Sequence, residues 1–187
     1  ISSLGTRIHN GSALTEDDDW KQHIVHHWNP KQVRKILDEM PGLKLQPKKE
    51  QTPYKVSYFI DPEKAPSVEE IIASIRQKEL TVNVLSSFGQ FLDIIPSRAS
   101  KGQALRYVAQ RLDIPLEHIL VAGGSGADED MMRGNTMAVV VGNRHHEELS
   151  QLVDQERIYF AGQPHAYGIL EAIEHYDFFD ACRVNND

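Results

Sequence analysis

The chain has 187 residues, 40% hydrophobic and 25% charged, a composition that can bury a core and that excludes a disordered or fibrous class. Its 27 acidic residues against 20 basic ones leave a net charge of -7, which argues against a nucleic-acid backbone or an anionic membrane as partner. No apolar run reaches the roughly 18 to 20 residues that span a bilayer, residues 1–7 lack a signal peptide's basic and apolar regions, and a single cysteine, Cys182, excludes an internal disulfide and fits a reducing cytoplasm.

In chain order, Leu4 to Ile8 reads as a strand, and Thr15 is expected to open a helix, since Thr15 and Asp18 have capping-box spacing and the acids Glu16 to Asp19 suit a helix's positive end. A helix near Pro30 to Met40, a strand Tyr54 to Ile60, a helix Val68 to Gln77 and strands Thr81 to Leu85 and Phe91 to Ile95, turning at Gly89, follow. Strands interspersed with helices predict an α+β layer over residues 1–95. Over residues 96–187 the pattern is helix Ala104 to Leu112, strand Ile119 to Ala122, short helix Asp130 to Met132 and strand Ala138 to Val141, whose βαβ spacing predicts a parallel sheet.

Val121 to Met132 is the most informative stretch: a buried strand, a Gly-rich turn and then carboxylates, at the strand end where α/β enzymes place their sites. Lys101 follows Ser100, a good N-cap, and a cation in a first turn opposes the helix dipole. An anion bound there reverses that cost, so Lys101 is a candidate phosphate or carboxylate ligand, with an ion pair to Asp128 as the plainer role. Lys55 and Ser57 share one strand face, as a half-buried strand needs, and Gln90 and Asp93 belong to the later strand region, where Asp93 could orient a ligand hydroxyl or cap the turn. His23, His26 and His27 share a helical face without a cysteine or Glu-x-x-His partner and read as surface residues; Trp20 and Trp28 read as packing, and His145 to Glu148 as the polar start of a helix.

Gly123-Gly124-Ser125-Gly126-Ala127-Asp128 resembles the last motif of the haloacid-dehalogenase-type (HAD) phosphatases, usually Gly-Asp-Ser-Gly-Asn-Asp, whose carboxylates hold magnesium against the phosphate being removed. Gly124 stands where the first Asp belongs, Ala127 where the Asn belongs, and Asp128 is in place. Ser100 to Leu105 resembles the same superfamily's lysine motif, and Val139 to Asn143 with His145 to Leu149 resembles its next strand and helix. From Lys55 through Phe179 the sequence is similar to the sucrose-phosphatase-like C-terminal domain, of HAD subfamily IIB, of bacterial sucrose-phosphate synthases, in which loss of the first loop Asp is part of the pattern.

That resemblance implies an α/β fold: the C-terminal half of a HAD-like Rossmannoid core, residues 96–187, with an α+β C2-type cap, residues 1–95. In that family an Asp-x-Asp strand opens the domain, and Leu4 to Ile8 resembles an early cap strand, so the chain is expected to begin partway through it. It further implies substrate-binding roles for Lys101, Lys55, Ser57, Gln90, Asp93 and Asn143, a degenerate metal site at Asp128, no catalytic residue, and no cofactor beyond residual Mg²⁺. The expected function is binding of sucrose 6-phosphate, or a regulatory or docking role, without phosphatase activity. Its setting would be a parent enzyme whose glycosyltransferase domain joins a nucleotide-linked glucose to fructose 6-phosphate, with a separate sucrose-phosphate phosphatase as a further partner. The alternative is a magnesium-dependent phosphohydrolase of a sugar phosphate, with Asp128 and Asp130 sharing the metal.

Overall fold

Asp17, not Thr15, opens the first helix in a computed structural model of the chain, which describes residues 1–149, 152–153 and 157–182. The Asp17 carboxylate accepts from the Trp20 N–H at 2.9 Å and caps α1 (Asp18–Ile24). Thr15 lies instead in β2 (Thr15–Glu16), which pairs antiparallel with β1 (His9–Asn10). Asp caps as well as Thr, so spacing alone could not choose between them. Leu4 is likewise not in a strand: Ser3–Gly5 is a turn of 3₁₀ helix with Ser3 and Leu4 at positive φ. Gly5, at φ +83°, is pressed so closely on the start of α4 (Lys101–Arg111) that a Cβ there would lie 2.0 Å from the Ser100 carbonyl oxygen. The Trp20 indole N–H holds the same turn by donating to the Gly5 carbonyl at 3.0 Å.

Residues Ile1–Ala104 gather into one unit. Its centre is an antiparallel sheet in the order β3 (Leu43–Leu45), β4 (Val56–Ile60), β6 (Phe91–Pro96), β5 (Val82–Ser87). Asn29 caps α2 (Pro30–Leu37), whose first residue is a proline with no N–H to satisfy, and a Ser67/Glu70 capping box opens α3 (Val68–Arg76). Strand alternation turns Val56, Tyr58, Leu92 and Ile94 to one face, where α2 and α3 bury them against Val33, Leu37, Ile71 and Ile75. Each such side chain contributes about 1.5–3 kcal/mol, enough to fix the register. The opposite face carries Ser57 across from Asp93 and Phe59 across from Phe91. The three-residue β3 was too short to show a period of its own.

The second unit, Leu105–Asp187, holds a parallel sheet in the order β7 (Leu120–Gly123), β8 (Met137–Val140), β9 (Ile158–Phe160). Both faces are covered, as parallel sheets require. Val121, Ala138, Val140 and Ile158 pack with Met132 of α5 (Glu129–Met132) and with Leu149 and Leu152, while Val139 packs with Ala172 of α6 (His165–His175). A short α7 (Phe178–Ala181) follows. Where a helix was expected from His145, the described residues 145–149 form hydrogen-bonded turns, and His145 and Glu148 bond to the loop after β7.

Candidate functional site

On the open face of the first sheet, three of the expected residues come together. Lys55, just before β4, places Nζ 2.7 Å from Ser57 Oγ and 3.4 Å from Asp93 Oδ1, and the Ser57 hydroxyl donates to the same Asp93 oxygen at 2.5 Å. The cluster is buried: the Lys55 and Asp93 side chains are 14% and 12% exposed. Backbone register alone sets Ser57 opposite Asp93, while Gln51 holds Ser57 from the other side. The Gln51 amide accepts from the Ser57 N–H and donates to the Ser57 carbonyl, both at 2.9 Å; it is the acceptor a strand neighbour would have offered beyond the end of β3, while the carbonyl also accepts from the Gln46 N–H at 2.9 Å. Sequence reasoning missed Gln51, because a side chain standing in for a strand leaves no periodic signal. Gln90 is exposed in the β5–β6 turn, where its carbonyl accepts from the Ile60 N–H at 3.0 Å, and it joins none of the three.

Lys101 is the first residue of α4, and Ser100 caps that helix as expected, its Oγ accepting from the Gln103 N–H at 2.9 Å. Asn143 is exposed, and its Oδ1 accepts at 2.8 Å from the N–H of His165, the first residue of α6.

In the loop after β7, Asp128 is 8% exposed and turns one oxygen inward. Its Oδ2 accepts from the Gly124 N–H, the Ser125 N–H and the Ser125 hydroxyl, each at 3.0 Å. Gly123 must be glycine, since a Cβ there would lie 2.4 Å from the Asp128 Cβ. At Gly124 a Cβ would sit 3.1 Å from Val141 Cγ2 and 3.4 Å from the Arg144 Cα. Glu148, read from sequence as a polar helix start, joins this loop: its Oε2 accepts from the Gly126 N–H at 2.9 Å, and the His145 N–H donates to the Gly124 carbonyl at 2.7 Å.

These residues do not by themselves fit a magnesium ion. Gly124 and Ala127 carry no ligating side chain, and Asp128 has committed one oxygen to its own loop. Asp130 turns to Arg106, whose Nη1 is 3.5 Å from Asp130 Oδ1 and whose Nη2 donates to the carbonyls of Asp130 and Arg133. Among the described residues no group of three His, Cys, Asp or Glu side chains is arranged to hold a metal, and none of the helices there is long and apolar enough to cross a membrane.

A parallel α/β core with an acidic loop after its first described strand, together with a helix-backed antiparallel cap, is the HAD-like class of fold. Within that class the chain belongs to the family described as sucrose-6F-phosphate phosphohydrolase, whose sequence model matches residues 1–177. It is 31% identical over 187 residues to sucrose-phosphatase 1 of Nicotiana tabacum, covering 95% of this chain and 44% of that protein. It is 26% identical over 177 residues to the mannosylfructose-phosphate phosphatase of Agrobacterium fabrum, covering 94% and 71%. The structure of the Synechocystis sucrose-phosphatase in complex with sucrose and phosphate matches with a TM-score of 0.86 and 32% identity, over 93% of this chain and 72% of that one. A HAD subclass IIB sugar phosphatase, at 19% identity and a TM-score of 0.52, shares the fold alone. The chain spans less than half the length of the plant relatives it matches. These relatives are phosphatases, so the expected place in a sucrose-phosphate synthase draws no support from them.

Proposed function

We propose that this chain supplies the sugar-recognising cap and the acidic-loop part of the core of a phosphohydrolase acting on a phosphorylated disaccharide such as sucrose 6-phosphate. The observation that carries the reading is the buried Lys55–Ser57–Asp93 cluster on the open face of the cap sheet. A carboxylate that accepts from sugar hydroxyls beside an ammonium that donates to them is a pre-organised pair, and burial strengthens each bond. Lys101, at the capped start of α4, adds a cation where helix N–H groups favour a phosphate. The metal and the nucleophile that such a reaction uses are not assigned to residues of this chain.

A second reading is favoured by one observation, a glycine at 124 where a Cβ would come within 3.1 Å of Val141 Cγ2, in a loop whose Asp128 turns one oxygen inward. In that reading the chain holds sucrose 6-phosphate without releasing phosphate, within a parent synthase carrying a glycosyltransferase region or as a docking surface for a separate phosphatase. Phosphate release from sucrose 6-phosphate by the full-length protein separates the two. Magnesium-dependent release, abolished by chelator and absent from a heat-inactivated control, is the expected result. Saturable binding with no release would favour the second reading.

A further inference from the structure

On the face of the cap sheet turned away from α2 and α3, an aromatic residue is exposed beside buried polar ones. Ser57 is 0% exposed and Asp93 8%, whereas Phe59, the next residue of β4 on that face, is 40% exposed. Phe59 stands across from Phe91 in register, with ring centroids 6.0 Å apart and planes at 47°, and neither ring belongs to the cluster that α2 and α3 cover. Lys44 of β3 and Ser87 of β5 flank the pair in the same row. A cross-strand aromatic pair adds only modestly to the stability of a sheet. That gain does not account for exposing an aromatic ring beside buried polar groups, because a Thr or Ser at position 59 would suit a half-wet strand face.

We infer that Phe59 and Phe91 form an apolar platform for the ring face of a sugar, next to the polar cluster that engages hydroxyls. A sugar ring presents C–H groups on its faces and hydroxyls around its edge, so an aromatic surface adjoining a carboxylate–ammonium pair matches both. The two-residue step from Ser57 to Phe59 is about 7 Å along the strand. Platform and cluster therefore address the face and the edge of one sugar ring, and the proposed function supplies the second ring and the phosphate. The inference rests on the proposed function for those two parts of the ligand, but not for the ring on the platform.

The test is calorimetric titration of sucrose, sucrose 6-phosphate and fructose 6-phosphate into the native protein and its Phe59→Ala, Phe91→Ala and Phe59→Trp variants, each checked for an unchanged thermal melt. The alanine variants should bind both disaccharides about threefold to tenfold more weakly, the scale of one aromatic contact. The tryptophan variant should match the native protein, and fructose 6-phosphate should be unaffected throughout. Alanine variants that bind the disaccharides as the native protein does, or that lose all three ligands alike, would overturn the platform while leaving the phosphohydrolase reading intact. Platform-dependent binding of sucrose with no preference for its phosphate would uphold the platform and sink that reading. A native protein that binds none of the three ends both.

Discussion

Asp128 accepts three hydrogen bonds from its own loop through a single oxygen, so it acts as a structural cap whatever else it does. Asp128→Ala should lower unfolding free energy by about 2 kcal/mol in chemical denaturation, the scale of a lost cap with charge-assisted bonds. Asp128→Asn keeps an oxygen acceptor and should cost less than half of that. Equal losses for the two would mean the carboxylate's charge, not its hydrogen bonds, matters there. Gly5→Ala should be costlier than either, at or above about 3 kcal/mol, because the residue sits at φ +83° and the new carbon would meet the Ser100 carbonyl at 2.0 Å. Asp128 was legible because a short motif carries it in the sequence. Gln51 and Glu148 were not, since the groups they serve are backbone N–H groups of Ser57 and Gly126, brought to them only by the folded chain.

Among the elements, the junction of β9 and α6 is held by one carboxylate. Glu171 accepts from the Tyr159 hydroxyl at 2.6 Å and from the Gly162 and Gln163 N–H groups, both at 3.0 Å, and these bonds hold its carboxyl below the ordinary glutamate value. A carboxyl whose folded-state pKa is depressed stabilises the fold above its unfolded value of about 4.3, and that stabilisation is lost as pH falls through the folded value. Glu171→Gln should therefore flatten the fall in stability below about pH 4.3 seen by thermal melts, with a smaller effect at neutral pH than Glu171→Ala. An acid limb as steep in the glutamine variant would assign the acid sensitivity elsewhere. Elements with their own caps and periods, such as α3 with its Ser67/Glu70 box, were readable, whereas β9 is only three residues long and α6 has its first N–H held by Asn143, 22 residues upstream. The turns at residues 145–149 escaped the sequence for a related reason: His145 and Glu148 are committed to the acidic loop, a partner that no window of sequence contains.

At the scale of the molecule, the candidate ligand residues Lys55, Ser57, Asp93 and Lys101 all belong to the first unit, and Asp128 belongs to the second. The cap sheet presents Lys55, Ser57 and Asp93 together, and the start of α4 presents Lys101. The HAD-like fold was readable because motifs at both Lys101 and Asp128 fall at the right points of an α/β pattern. The consequence of glycine at 124 was not, since it depends on Val141 and Arg144 closing on that position. Under the proposed function, Asp93 reads the sugar of a disaccharide phosphate and Lys101 its phosphate. Titrating sucrose and sucrose 6-phosphate into the native protein, Asp93→Asn and Lys101→Ala tests it directly. Asp93→Asn should weaken both ligands, and Lys101→Ala should weaken sucrose 6-phosphate alone, each by about tenfold to a hundredfold. Identical affinities across the three proteins, or no binding of sucrose 6-phosphate by the native one, would contradict the account.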